Sequence, residues 1–242
     1  MMSVLYEELA PKEFLERIQA CPVGYLPLGT IEWHGLHNPL GVDLLESKEL
    51  FLRAAERFGG IVFPPLFLGP DRRVEKDGKE YLGMDVYFDL LRCPPYPLQQ
   101  MPGSCYWVPT ETYRLILESI FRQAQRAGFK VLVGVGHGPS TDEYYSMADL
   151  AREKYGLTLL TPSCDGFSPR LINDHAAQSE TSAMMYFRPE LVHLDRLDPD
   201  PDVFPLGVSG PDPRTTARPE YTESILEDVL NHLGELIRKA LA

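Results

Sequence analysis

Short apolar segments alternate with amphipathic helical patterns along most of this 242-residue chain, and that alternation most constrains its fold. Apolar segments predict buried strands at 23–28, 61–67, 130–135 and 157–161. Helical periodicity predicts helices at 11–20, 44–57, 109–127, 140–155, 180–185 and 222–242. Strands that alternate with helices in this way predict an α/β fold, with a mostly parallel central sheet and helices on both faces.

The length suits one α/β domain, and we expect residues 1–242 to form a single domain. The stretch 69–103 differs from the rest because it is polar, rich in proline and tyrosine, and weakly periodic. We interpret it as a long excursion, with a hairpin turn predicted at Asp77 and Gly78. The segment 195–218 is rich in proline and aspartate, which is typical of a surface or interface strap.

The formal net charge of −12 limits the partners that this chain can attract. An acidic surface repels phosphate backbones and anionic lipids, so neither nucleic acid nor a membrane is expected as a partner. The N-terminus has no signal-peptide pattern, and no apolar run approaches the ~20 residues that cross a bilayer. We therefore expect a cytoplasmic protein whose four widely spaced cysteines are free thiols.

The segment 29–43, directly after the first predicted strand, concentrates Glu32, His34, His37 and Asp43 among three glycines. Because Glu32 and His34 are two residues apart, extended backbone projects both side chains to the same side. The glycines allow the chain to fold back, so that Asp43 can join them. Mixed carboxylate and imidazole ligands suit Zn²⁺, Mn²⁺ or Fe²⁺. The alternative is a structural loop with hydrogen-bonded polar side chains.

A second candidate, His137, follows the apolar strand predicted at 130–135 and lies between two glycines. We interpret it as a further ligand at the same sheet edge, since strand-to-helix loops of a parallel sheet gather there. The alternative is a plain strand-to-helix turn, in which Ser140 or Thr141 caps the next helix.

A third cluster places Asp174, His175 and Glu180 just before a predicted helix. His175 is a candidate for proton transfer, Asp174 is a second catalytic candidate beside it, and Glu180 is a candidate ligand. The alternative is helix capping, because Glu180 falls in the first turn of a Ser-Glu-Thr-Ser sequence.

Taken together, these segments resemble the creatininase family. LPLGTIEWHGLHNPLGVD (26–43) resembles the family motif E-x-H-G-x-H-x-P followed by Asp, VGHGPS (135–140) resembles N-G-H-G-G-N, and HAAQSETS (175–182) resembles H-A-G-x-x-E-T-S. GVSGPDPRTTA (207–217) resembles a later family segment that contains G-D-P. The resemblance implies a three-layer α/β/α sandwich, a homo-oligomer that is commonly a hexamer, and a site for two divalent metal ions.

The resemblance also implies roles for individual residues. Asp43 would bridge two Zn, Mn or Fe ions that share a hydroxide nucleophile, and His175 would protonate the leaving group. Glu32 and His137 would complete one metal, and His34 and Glu180 the other. One departure is Pro139, which stands where creatininase carries a glutamate. Two tryptophans that enclose creatinine in that enzyme also have no counterpart between 148 and 170, so creatinine is a poor candidate substrate.

The leading hypothesis is a metal-dependent amidohydrolase that acts on a cyclic or linear amide of a small molecule. A second is hydrolysis of a ring C–C bond in a cyclic ketone such as a keto-inositol, which would use the same ligands. A third is a non-catalytic metal-binding assembly protein. We expect substrate contacts from Trp33, His37, Arg72 and Arg73, the two arginines being candidates to bind a hydroxylated or anionic group, with Lys76 as a further candidate.

Overall fold

The computed structural model describes residues 3–86, 94–167 and 174–242. Within them the strands are β1 (Val23–Leu28), β2 (Ile61–Val62), β3 (Gly69–Pro70), β4 (Arg73–Lys76), β5 (Lys79–Leu82), β6 (Trp107–Val108), β7 (Val131–Gly136) and β8 (Thr158–Leu160). The helices are α1 (Pro11–Ala20), α2 (Val42–Phe58), α3 (Thr110–Ala127), α4 (Gly138–Ser146), α5 (Ala148–Tyr155), α6 (Gln178–Phe187), α7 (Pro213–Thr216) and α8 (Pro219–Leu241).

A parallel sheet in the order β2-β1-β7-β8 forms the centre of the fold. β1 and β7 pair along their whole length, from Val23 opposite Val131 to Leu28 opposite Gly136. Every residue of these two strands is buried, as expected for parallel strands that are covered on both faces.

Side chains that alternate along the central strands build two separate apolar cores. Tyr25 and Val133 pack on one face with α2, α6 and α8. Leu26 and Leu132 pack on the other face with α1, α3, α4 and α5. The predicted three-layer α/β/α architecture with a mostly parallel sheet is thus confirmed.

The predicted continuous helix at 140–155 is wrong, because two helices occupy that stretch. Met147 (φ −93°, ψ 10°) ends α4 and precedes α5. The break turns both helices toward the same core, since Tyr144 on α4 and Ala151 on α5 are both fully buried. A uniform helical pattern in the sequence did not reveal this change of axis.

The strand predicted at 61–67 is also shorter than expected, because the ladder stops after Val62. Pro64 and Pro65 follow and cannot donate a backbone hydrogen bond, so pairing resumes only as an isolated bridge at Leu66.

Part of the excursion at 69–103 is ordered into short strands. β4 and β5 form the predicted hairpin, with Asp77 and Gly78 both at positive φ (51° and 70°), the backbone of a tight two-residue turn. β3 pairs in parallel with β6 and ties the start of the excursion to the entrance of α3. The stretch 87–93 lies outside the described residues.

Cys21, Cys105 and Cys164 are free thiols, as predicted, and Cys93 lies outside the described residues. Across the described part of the chain, no helix combines the length and apolar character that spanning a bilayer requires.

Candidate functional site

The site lies at the carboxyl edge of the central sheet, where β1 and β7 end side by side. Gly136 makes this close approach possible, because a Cβ at this position would lie 1.7 Å from the Leu28 carbonyl oxygen and its φ is +148°. His137 then donates its backbone N–H to the same carbonyl at 3.0 Å. Glycine at 136 therefore brings His137 next to Glu32, which follows β1.

One group of candidate ligands consists of His34, Asp43 and Glu180, which are all buried. His34 Nε2 lies 3.7 Å from Asp43 Oδ2 and 3.6 Å from Glu180 Oε2. Both distances exceed hydrogen-bond length. His34 Nε2 and Asp43 Oδ2 have no hydrogen-bond partner among the described residues. Buried polar atoms without partners that face one another indicate a cation between them.

A second group surrounds Glu32. Its Oε1 atom lies 3.6 Å from His137 Nε2 and 3.7 Å from His175 Nδ1. The His175 ring stacks on the His34 ring with 4.2 Å between centroids, which joins the two groups. Glu32, His34 and His175 also present ligand atoms within 4.8 Å of one another.

Hydrogen bonds to the far nitrogen of each imidazole set the tautomers. Ser140 Oγ donates to the Gly29 carbonyl at 3.0 Å, so at 2.8 Å it accepts from His137 Nδ1. His34 Nδ1 donates to the Glu32 carbonyl at 3.1 Å. The Nε2 lone pairs of both histidines therefore point at carboxylates. Such outer hydrogen bonds are what metal-binding histidines require.

His175 is held in the opposite tautomer. Its Nε2 donates to the Trp33 carbonyl at 2.7 Å, which leaves the Nδ1 lone pair facing Glu32. Backbone pairing with Ser209, at 2.9 Å and 2.8 Å, fixes the position of the residue.

The donor set fits divalent metal ions. Ligand bonds of about 2.0–2.2 Å in a tetrahedral site place neighbouring ligand atoms about 3.4 Å apart, close to the spacings of 3.6–3.7 Å measured here. Carboxylate oxygens and neutral imidazole nitrogens are the ligands that zinc and manganese accept.

The electrostatics also favour a cation over several buried protons. Burial raises the pKa of Asp43 to about 7. Burial and the Asp43 charge together raise the pKa values of Glu32 and Glu180 well above their usual range. Burial lowers the pKa of His137 to about 3, so its imidazole is neutral at physiological pH. Buried carboxylates that share one site become ionised together only when a nearby positive charge compensates them.

These groups form the floor of a cavity of about 630 Å³. This volume suits a small-molecule substrate. The polar residues among its lining are Glu32, Asp43, Arg72, Asp142, His137, Asp174, His175, Glu180 and Ser209. Its apolar wall contains Pro70, Val74, Met84, Val86, Trp107 and Pro139.

Asp174 also lines this cavity, but its carboxylate is occupied by the start of α6. Its oxygens accept the backbone N–H groups of Ser179 at 2.7 Å and Glu180 at 3.3 Å. Glu180 in turn accepts the backbone N–H of Ala176 at 2.6 Å. These hydrogen bonds at the start of α6 hold Glu180 beside His34. Helix capping and metal binding are therefore compatible roles for Asp174 and Glu180.

The capping role considered for Ser140 or Thr141 is wrong, since no side chain caps α4. Ser140 instead bonds His137, as described above. Thr141 Oγ1 donates to the His137 carbonyl within the first turn of the helix.

Trp33 and His37 lie beside the site and are not among the described residues that line the cavity. Trp33 Nε1 donates to the Leu206 carbonyl at 2.9 Å, which turns the indole toward the 205–208 segment. His37 is fully buried, and its Nε2 donates to the Ala176 carbonyl at 3.0 Å. Both positions indicate supporting roles: Trp33 positions His175 through its carbonyl, and His37 anchors the loop before α6.

Of the two arginines that were expected to contact substrate, one lines the cavity and the other does not. Arg72 lines the cavity and pairs with Asp142 at 3.5 Å. Arg73, in the β4–β5 hairpin, donates to Glu80 at 2.9 Å and is not among the described lining residues. Lys76 lies on the exposed end of the same hairpin.

Glu46 was not predicted from the sequence; it is buried and lies one helical turn after Asp43 on α2. Its Oε1 has no hydrogen-bond partner among the described residues, and the Asp43 and Asp174 charges add to the effect of burial in raising its pKa well above normal. The i, i+3 spacing from Asp43 was the available signal, because it places both carboxylates on one helix face. Trp107 was not predicted either, because a strand of only two residues gives no recognisable alternating pattern in the sequence.

Comparison with known proteins identifies the family to which this chain belongs. A family model described as creatininase, creatinine amidohydrolase, matches residues 7–237. The chain is 31% identical to creatinine amidohydrolase from Pseudomonas putida over 272 aligned residues, covering 98% of this chain and 97% of that protein.

Solved structures agree with this assignment. A manganese creatininase superposes with a TM-score of 0.73 at 26% identity, covering 98% of both chains. A mutant creatininase of Zn–Zn type superposes with a TM-score of 0.71 at 26% identity, covering 99% of this chain and 98% of the other. The sequence match, the shared fold and the cluster of candidate ligands together show that this chain belongs to the creatininase family of metal-dependent hydrolases.

Proposed function

We propose that this chain is a binuclear metal-dependent amidohydrolase that cleaves the C–N bond of a small amide. The observation that carries the proposal is the set of histidine lone pairs directed at buried carboxylates, at 3.6–3.7 Å. The three carboxylates and His137 line a cavity. The manganese and Zn–Zn forms of the related creatininases support metal binding by this constellation.

Glu32 and His137 are assigned to one ion, and His34 and Glu180 to the other. Asp43 is placed between the two groups because its charge contributes to the raised pKa of both Glu32 and Glu180. Two divalent ions held by these residues would polarise a carbonyl and make a water molecule acidic enough to react at neutral pH.

His175 is assigned the proton transfer. Burial lowers its pKa to about 4, so the imidazole is neutral at pH 7 and can accept a proton at Nδ1. The Trp33 carbonyl and the backbone pairing with Ser209 hold the ring in place during this step. That proton comes from the water that attacks the amide carbonyl, and it can then pass from Nδ1 to the nitrogen that leaves as the amide C–N bond breaks.

The test is hydrolysis by metal-loaded protein of a panel of lactams, formamides and keto-inositols, with creatinine included. Amine or formate release by the wild type, lost about 1,000-fold or more in His175→Ala, supports the proposal. Tyr145→Phe, which alters an exposed residue on α4, is the matched control and should retain activity.

Hydrolysis of keto-inositols and of no amide in the panel would favour cleavage of a ring C–C bond over amide cleavage as the function. Turnover of no compound in the panel, despite full metal loading, would contradict the amidohydrolase assignment and favour the non-catalytic alternative.

A further inference from the structure

Two cavity-lining residues, Arg72 and Trp107, lie on segments whose backbones are hydrogen-bonded to each other. Asp71 donates its N–H to the Val108 carbonyl at 2.8 Å, and its side chain accepts the Thr110 N–H at 3.1 Å, where α3 begins. β3 pairs with β6 immediately before this point. Arg72 and Trp107 therefore come from two segments that are hydrogen-bonded to each other, so their relative position is fixed.

Arg72 is the one lysine or arginine among the described residues that line the cavity. Arg72 lines the same cavity as the candidate ligands Glu32, Asp43, His137 and Glu180. The pairing of Arg72 with Asp142 is loose, since the Nη2–Oδ2 distance is 3.5 Å and both side chains are more than half exposed. Exposed pairs of this kind are weak, so a ligand can compete for the guanidinium.

Trp107 supplies a second, independent feature. Its Nε1 is buried and has no hydrogen-bond partner among the described residues, although the residue lines the cavity. The ring meets the His137 ring edge to face at 5.5 Å. Gly83 packs against the same ring, because a Cβ there would lie 3.1 Å from two of its carbons. A fixed indole N–H without a partner requires an acceptor atom.

We propose that Arg72 and Trp107 form a subsite for a substrate that carries one carboxylate, an inference that rests on the proposed amidohydrolase function. Arg72 binds the carboxylate through its planar fork of N–H donors, and Trp107 Nε1 donates to an oxygen of the same substrate. Val74, Met84 and Val86 add apolar lining to the same cavity, which suits the uncharged part of such a substrate. A single negative charge is favoured, because one guanidinium faces several acidic side chains in this cavity. The substrate class is a small N-acyl amino acid.

The test compares N-formylglycine, N-formyl-β-alanine and N-formyl-γ-aminobutyrate with their methyl esters on the metal-loaded protein. Binding is measured by calorimetry, and hydrolysis by formate release. A carboxylate can also bind a metal ion directly, so the deciding comparison is between Arg72→Gln and the neighbouring control Arg73→Gln. Trp107→Phe retains the ring and removes the N–H.

We expect the wild type and Arg73→Gln to bind the best acid about tenfold more tightly than its ester. In Arg72→Gln this preference should fall to within about twofold. Trp107→Phe should weaken acid and ester alike, by about fivefold. Metal content and thermal midpoint are measured for each variant, so that a folding defect is recognised.

An unchanged acid preference in Arg72→Gln, no preference in the wild type, or no binding of any acid at its solubility limit would each overturn the subsite. Formate release from esters without an acid preference would also overturn it, while leaving the proposed function intact. Arg72-dependent binding of acids without formate release would support the subsite and count against amide hydrolysis.

Discussion

At the scale of single residues, the site depends on which nitrogen of each imidazole carries a proton. His34 and His137 donate from Nδ1 and keep Nε2 free, whereas His175 donates from Nε2 and keeps Nδ1 free. The first arrangement suits ligands whose lone pairs point into the acidic cluster, and the second leaves a base at the edge of the cavity.

Ser140→Ala tests the tautomer of His137. Without the serine hydroxyl, His137 Nδ1 loses its acceptor, and we expect one of the two ions to bind about 10- to 100-fold more weakly. Metal titration by calorimetry measures this effect. Ser119→Ala is the control, because that hydroxyl bonds only within α3 on the exposed surface. Two ions with unchanged affinity in Ser140→Ala would show that the hydroxyl does not orient His137.

The raised pKa of Asp43 predicts how metal affinity depends on pH. Without a cation, its carboxyl titrates near pH 7, against 3.8 in the unfolded chain. Stability from the protonated form is therefore present at low pH and is lost as pH rises through about 7. A metal ion must displace that proton, so this carboxyl alone should increase the apparent affinity roughly 50-fold from pH 5 to pH 7, and the raised pKa values of Glu32 and Glu180 should add to the increase. Calorimetric titrations across this range measure it, and a flat profile would contradict the raised pKa.

At the scale of elements, the site exists because β1 and β7 end together at one edge of the sheet. The glycine at 136 is the contact that allows this, since the Leu28 carbonyl occupies the space of a side chain. His137 and Glu32 are then presented by adjacent loops, as parallel sheets commonly do with their ligands.

Gly136→Ala should destabilise the protein by about 3 kcal/mol or more, because the new methyl group would meet the Leu28 carbonyl and φ is positive. Gly138→Ala is a matched control two residues away. No atom lies within 4 Å of its Cβ position and no positive φ is involved, so even with the restriction that Pro139 places on the residue before it we expect a change below about 1 kcal/mol. Chemical denaturation of both variants measures the difference, and equal stability would refute the proposed role of Gly136.

The strands that were predicted well are those with strong local signals. β1 matches its predicted bounds, because six buried residues lie between Pro22 and the glycine-rich loop. The hairpin at Asp77 and Gly78 was predictable from turn chemistry alone. The break at Met147 was not, because it arises from how α4 and α5 pack on the same core.

The candidate ligands could be predicted from the sequence because their motifs lie directly after predicted strands or before a predicted helix. The residues of the cavity wall could not be predicted. Arg72 and Arg73 are adjacent and chemically identical, and the sequence does not show that Arg72 lines the cavity while Arg73 bonds Glu80 in the hairpin. Trp33 and His37 lie within the main motif, yet their hydrogen bonds to distant carbonyls direct their side chains away from the cavity. Such orientations depend on long-range contacts that sequence spacing does not encode.

At the scale of the whole molecule, both faces of one sheet are covered by helices from the N-terminal and C-terminal parts of the chain. α8 packs on α6 and α2 beneath the site, while α1 and α3 cover the opposite face. We propose from this that the chain unfolds as a single domain. The homo-oligomer implied by the family stays a prediction.

Thermal unfolding should therefore show one cooperative transition, and saturating Zn²⁺ or Mn²⁺ should raise its midpoint. A ligand at about 100 times its Kd adds about 2.7 kcal/mol per site, which corresponds to roughly 5–10 °C for a chain of this size. Scanning calorimetry with and without metal measures both effects. Two separate transitions would contradict the single-domain proposal, and an unchanged midpoint would argue against metal binding to the folded state.

The most direct test of the central claim is the metal content of protein purified without chelator, by elemental mass spectrometry. We expect about two Zn, Mn or Fe ions per chain, with loss of both in Asp43→Asn and of one in Glu32→Gln. Asp142→Asn, at the exposed rim, should retain both. One ion that survives in Asp43→Asn would remove its bridging role, and the absence of any metal under every loading condition would contradict a metal-dependent mechanism.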